Sequence, residues 1–251
     1  MHDHVDVKAY CEHSAGPGER RTLVTPGSSL GTSLSQIAEI QAHLSAAGSV
    51  LTGLVALVAV SLQAIWLIVQ HVNTIAHEGA HAIAGSAVGR KIQYVTFRAN
   101  GDGATKPSGG GLPGEVTIGV VGYLGPSLFG LGAAKLIEIG HSVAVLWLAL
   151  LLLILLLFVL RKLFSYVPVL ATGAVIFLIA RYGSVGAETI TAYLVAWFLL
   201  LSGLRVVLEH NLGASDAGNL ASMTHIWRGF WVLLWLAGSI AAVAIGGALL
   251  I

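Results

Sequence analysis

The chain has 251 residues, 56% of them hydrophobic and only 10% charged. Soluble domains carry about 25% charged residues, so most of this surface does not meet water. A net charge of +1 leaves no basic excess to hold a nucleic acid, and the single cysteine, Cys11, excludes an intramolecular disulfide and a cysteine-based zinc site. Several apolar runs reach the roughly 20 residues that cross a hydrocarbon core. The composition therefore predicts an all-α polytopic membrane protein, with a polar head over residues 1–46 and a membrane-embedded domain over 47–251.

Residues 1–31 are rich in Gly, Ser, Pro, His and charge and read as disordered. Their His2, His4 and His13 offer no preformed metal site. Residues 1–21 lack the apolar stretch of a cleaved signal, so the first apolar helix is expected to serve as an uncleaved one. Residues 33–47 predict a short amphipathic helix on the membrane surface: Ser33 and Gln36 fit a capping box, and Leu34, Ile37, Gln41 and Leu44 trace one face.

The first span is expected over 50–72. No turn signal ends it, so the helix should continue through His77 and His81. Gln93-Tyr94-Val95-Thr96-Phe97-Arg98 alternates like a strand, and Asn100-Gly101-Asp102-Gly103 has strong turn chemistry, which together predict a short hairpin. A loop over 106–114 leads to a second span, 116–137, which Pro126 should kink or split. The Leu-rich third span, 142–160, looks like lipid-facing filler and ends at Arg161-Lys162. The fourth, 166–180, has Pro168 in its first turn, a tolerated position. The fifth, 185–208, carries Glu188 near its start, where a carboxylate complements the helix dipole. The sixth covers 227–251, with Trp227, Trp231 and Trp235 at i, i+4 spacing as packing or interface anchors. These make six spans. Arg90, Lys91, Arg98, Lys106, Arg161, Lys162, Arg205 and Arg228 fall on one side of them; Lys8, Arg20, Arg21 and Arg181 fall on the other, with Lys135 near its edge. The richer side is expected in the cytoplasm of a cell-membrane protein, with both termini outside.

The sharpest feature is His77-Glu78-Gly79-Ala80-His81. On a helix, positions i and i+4 share a face one turn apart, so the two imidazoles can hold one zinc ion. Glu78 beside them is placed to take a proton from a zinc-activated water. Ionisable residues in a span are costly and usually functional, which weighs against two histidines that merely finish a helix. Catalytic zinc needs a third protein ligand and an open fourth position. Of the four aspartates, Asp3 and Asp6 lie in the head and Asp102 in the turn, leaving Asp216. Spans one and five run in the same direction, so His77, His81 and Asp216 can meet. Asp216 could instead cap a following helix, and Glu209, His210 and His225 compete as ligands.

At this point the sequence resembles the site-2 protease family of intramembrane zinc metallopeptidases, in its compact bacterial branch. The likeness spans about residues 77–235 and rests on the His77–His81 motif and on Ser215-Asp216-Ala217, supported by Gly122-Tyr123-Leu124-Gly125-Pro126. In the wider family the aspartate usually follows an Asn-Pro motif and precedes Gly; here Ala217 follows it and no proline precedes. The resemblance implies His77, His81 and Asp216 as Zn2+ ligands, Glu78 as general base, a site open to the cytoplasm, and membrane-spanning protein substrates in the lipid bilayer. A helical substrate must be unwound before its peptide bond can react. Tyr94 and Thr96, in the strand-like stretch 94–97, are candidate substrate-binding residues through strand addition; an ordinary covering hairpin is the alternative. Asn73, one turn before His77, is a candidate partner of that imidazole, and Asn219 a candidate for stabilising the oxyanion. A metal-binding transporter using the same His/Asp site is the rival reading, although it would not need Glu78. A non-catalytic relative would have no reason to keep that base.

Overall fold

The computed structural model describes residues 37–209 and 216–251. Among the described residues from Ala46 onward, eight helices and one hairpin follow in order: α1 (Ala46–Ser61), α2 (Gln63–Ala87), β1 (Ile92–Phe97), β2 (Gly103–Pro107), α3 (Leu112–Glu138), α4 (Ser142–Leu157), α5 (Leu163–Tyr182), α6 (Val185–Glu209), α7 (Asp216–Thr224) and α8 (Arg228–Leu250). The all-α polytopic expectation holds. Four of these helices, α3, α5, α6 and α8, are long and apolar enough to cross a membrane. The bent pair α1 and α2 makes a fifth candidate span. The expected third span is only the 16 residues of α4, about 24 Å at 1.5 Å per residue, short of a core about 30 Å thick.

Three expectations need correcting. The first span is not continuous: Leu62 takes an extended backbone, and α1 and α2 meet at 102°. No Gly or Pro marks the break. Contacts from α6 hold it instead, with the Arg205 guanidinium 4.3 Å from the centre of the Trp66 ring and its Nη2 donating to Gln63 Oε1 at 2.6 Å. The surface helix expected over 33–47 lies partly outside the described residues, and 39–45 are irregular. Gln41 is buried there, its N–H donating to the Gly140 carbonyl and its Oε1 accepting from the Val143 N–H, so it joins the α3–α4 turn. Finally, α4 is not filler. Val143, Leu146, Leu150 and Leu153 are buried, while Leu148, Leu151 and Leu155 face outward.

The prolines also behave differently from expectation. α3 runs unbroken through Pro126, and Pro168 lies inside α5 because that helix starts three residues earlier than expected. In lipid, helices associate through close packing and polar contacts more than through hydrophobic gain. α3 and α8 meet at Ser127 and Ser239, whose hydroxyls are 3.3 Å apart, and Gly203 of α6 closes on the same point. The main core lies among α3, α4 and α6, where Ala134, Ile137, Leu146 and Leu200 are fully enclosed.

The hairpin forms as its sequence suggests. Tyr94 pairs with Lys106, Thr96 with Ala104 and Phe97 with Gly103. Gly101 takes φ +90 at the turn, a region glycine enters without steric cost. Its carbonyl accepts from Thr74 Oγ1 at 2.7 Å, which pins the tip on α2. The opposite edge of β1 is already used: the Val95 N–H donates to the Val159 carbonyl, the Arg161 N–H donates to the Val95 carbonyl, and the Phe97 N–H donates to Ser165 Oγ.

Candidate active site

α2 carries His77, Glu78 and His81 in its last three turns, and α7 begins with Asp216. The two helices meet where the sequence placed them. His81 Nε2 stands 3.0 Å from His77 Nε2 and 3.1 Å from Asp216 Oδ2, and His77 Nε2 stands 3.4 Å from the same oxygen. Among the described residues this is the one group of three metal-ligating side chains within reach of one another. Ligand atoms about 2.0–2.1 Å from a tetrahedral zinc lie about 3.3–3.4 Å apart. The triangle fits that ion, and its three corners leave a fourth position open.

The surroundings set the orientation of these donors. His81 Nδ1 lies 2.8 Å from the Ile118 carbonyl. A carbonyl can only accept, so Nδ1 carries the proton and the Nε2 lone pair points at the site. Gly122 gives this ring its place: a Cβ there would fall inside 3.0 Å of Cε1, Nε2 and Nδ1. His77 meets the edge of Tyr123 at 4.9 Å, and Tyr123 stacks on Trp235 at 4.4 Å. Trp235 Nε1 in turn donates to the Val120 carbonyl at 3.0 Å. Burial alone would raise the Asp216 carboxyl, but when His77 and His81 are protonated their hydrogen bonds and charge hold it well below the usual carboxylate range.

Glu78 is buried, 4% exposed. Its Oε2 accepts from Thr105 Oγ1 at 2.6 Å. β2 lies so close that a Cβ on Gly103 would come within 2.5–2.8 Å of the Glu78 side chain. The hairpin therefore lays one face over the carboxylate. That face carries Val95, Phe97, Gly103 and Thr105, because directly paired residues of an antiparallel ladder share a face.

The other candidates divide. Tyr94 and Thr96 belong to the opposite face of the hairpin, turned away from Glu78. Glu209 is held by Arg205 through Oε1, and His225 is exposed. His210 and Ser215 lie outside the described residues, as do His2, His4, His13 and Cys11. Asn219 is exposed one turn beyond Asp216. Asn73 is buried but makes no bond to His77; its Oδ1 has no partner among the described residues. Sequence reasoning missed Thr105, Ile118, and the Tyr123 and Trp235 stack. Tyr123 gave a signal through the Gly122–Pro126 stretch and Trp235 through its i, i+4 spacing, but neither pointed to the stack.

A model of the Peptidase M50B-like family matches residues 50–246. The chain belongs to that family. Membership bears out the resemblance to the site-2 proteases and makes the protein a multi-pass membrane metallopeptidase, a hydrolase whose substrates are proteins of the bilayer. All of the metal-ligating triangle and Glu78 fall within the matched segment. Comparison with curated proteins finds no match, and comparison with solved structures finds none either.

Proposed function

We propose that the protein is a zinc endopeptidase that cuts membrane-spanning proteins, with His77, His81 and Asp216 holding the metal and Glu78 acting as general base. The observation that carries this reading is the 3.0–3.4 Å triangle of donors beside a buried carboxylate. A zinc ion held there supplies Lewis acidity and a water acidified toward neutral pH. Glu78 takes the proton of the attacking water and returns it to the leaving amine. The Thr105 hydroxyl keeps one carboxylate oxygen in place, and the other is proposed to face that water. Asn219 is proposed to steady the developing oxyanion from α7.

Substrate is proposed to add as a strand to the hairpin, at β2. The outer edge of β1 is filled by 159–161 and Ser165. Arg98 N–H bonds to the Asp102 carbonyl, so 96–104 and 94–106 are the hydrogen-bonded pairs of the ladder and Gly103 and Thr105 turn their main-chain groups outward. An unwound segment on that edge would lie alongside Glu78. The Lys and Arg distribution supports a cytoplasmic site, and with the short α4 counted as a sixth span both termini lie outside.

The test is Glu78→Gln, purified alongside wild type, with zinc measured per chain and cleavage of a single-span reporter followed. Zinc should stay near one per chain while cleavage falls by about 10²–10⁴. A Glu78→Gln enzyme that cuts normally would overturn the assignment.

A further inference from the structure

The hairpin face turned away from Glu78 meets the α4–α5 connection in a cleft of about 410 Å³, lined by Tyr94, Thr96, Arg98, Ala104, Arg161 and Lys162. Lys106, paired with Tyr94, lies on the same face. Four cations from three separate segments thus converge on one side of the hairpin. Among the described residues none of them is paired with a carboxylate. Arg161 is held in place, its guanidinium 5.2 Å from the centre of the Tyr94 ring and its N–H bonded to the Val95 carbonyl. Such a planar, pre-oriented fork suits a phosphate group.

What lies beside the cations decides the kind of anion. Phe158 and Leu163, which flank Arg161-Lys162, are 81% and 87% exposed. They end α4 and begin α5, two apolar helices that turn back at this point. Cations at the ends of such helices, between side chains that belong in acyl chains, lie at headgroup depth. A free anion or an acidic protein segment would match the charges but make no contact with Phe158 and Leu163.

We propose that this cleft is a binding site for the phosphate headgroup of an anionic phospholipid, with Arg98, Arg161 and Lys162 contacting the headgroup and Phe158 and Leu163 set among its acyl chains. The site lies across the hairpin from the peptidase centre and is independent of its chemistry. Through the Val95 bonds it ties the hairpin to the membrane surface.

The test is native mass spectrometry of the full chain in dodecyl maltoside, titrated with phosphatidylglycerol, phosphatidylcholine, inorganic phosphate or an acidic peptide. Phosphatidylglycerol should bind, and the other three should bind far more weakly. Each removed cation should weaken binding about fivefold, and Arg98→Gln/Arg161→Gln/Lys162→Gln together roughly a hundredfold. Lys162→Gln alone, at an exposed position, gives the fivefold step if the triple variant fails to fold. Lys91→Gln/Lys135→Gln/Arg181→Gln removes the same charge elsewhere and should leave binding unchanged. Equal loss in that control, equal binding of phosphatidylcholine, or equal or tighter binding of phosphate or the peptide would each overturn the proposal.

Discussion

Gly122→Ala should disable the enzyme although residue 122 bears no functional group. The added Cβ would sit 2.9 Å from His81 Nδ1 and closer still to Cε1 and Nε2. Carbon contacts rest at about 3.5–4.0 Å, so the ring must retreat by about 1 Å. That movement stretches the 2.8 Å bond to the Ile118 carbonyl beyond hydrogen-bonding range and draws Nε2 out of the donor triangle. Losing such an orienting contact lowers metal affinity about 10–100-fold, and a misplacement of about 1 Å costs about 10²-fold in rate. Gly79→Ala is the control: it lies inside the His77–His81 motif, yet a Cβ there meets nothing within 4 Å. Zinc affinity by competition with a chelator, together with reporter cleavage, reads both variants. Gly79→Ala should match wild type and Gly122→Ala should lose both metal and activity. Normal zinc affinity in Gly122→Ala would refute the packing argument.

Thr105→Val removes the 2.6 Å bond to Glu78 and should lower kcat about 10–100-fold at unchanged zinc content, as expected for one hydrogen bond to a charged group of about 1.5–3 kcal/mol. Trp235→Ala removes the ring behind Tyr123 and should cost about 3–5 kcal/mol of stability, read as a lower Tm with weakened zinc binding. Acidification should release zinc as protons compete with the metal for the imidazole nitrogens. Asp216 is held low, so its carboxylate stays ionised while the imidazoles take up protons and does not set that release; a zinc-retention titration follows the loss. In oriented vesicles the single Cys11 should react with an impermeant maleimide from outside, and labelling only from the cytoplasmic side would reverse the topology.

Much of the site could be read from the sequence because its chemistry is local or scarce. His77, Glu78 and His81 follow from helical spacing, and Asp216 emerged because few aspartates compete and two parallel spans deliver both segments to one side. The hairpin was legible because Asn100-Gly101-Asp102-Gly103 is strong turn chemistry. What stayed hidden depends on long-range contacts. The break at Leu62 has no local signal and is held by Arg205 from α6. Which strand edge is free depends on 159–161 adding to β1, about 65 residues away in sequence. Trp235 reads as an anchor until its ring is seen behind Tyr123. Pro126 failed as a breaker because α3 is packed along its length by α2, α6 and α8 and tolerates the one hydrogen bond that proline removes.

Zinc content and zinc-edge X-ray absorption, on wild type and Asp216→Ala, test the metal assignment most directly. Wild type should hold about one zinc per chain with two imidazole nitrogens and a carboxylate oxygen at about 2.0–2.2 Å, and Asp216→Ala should lose that carboxylate and most of the metal. A full zinc complement with an unchanged spectrum in Asp216→Ala would contradict it.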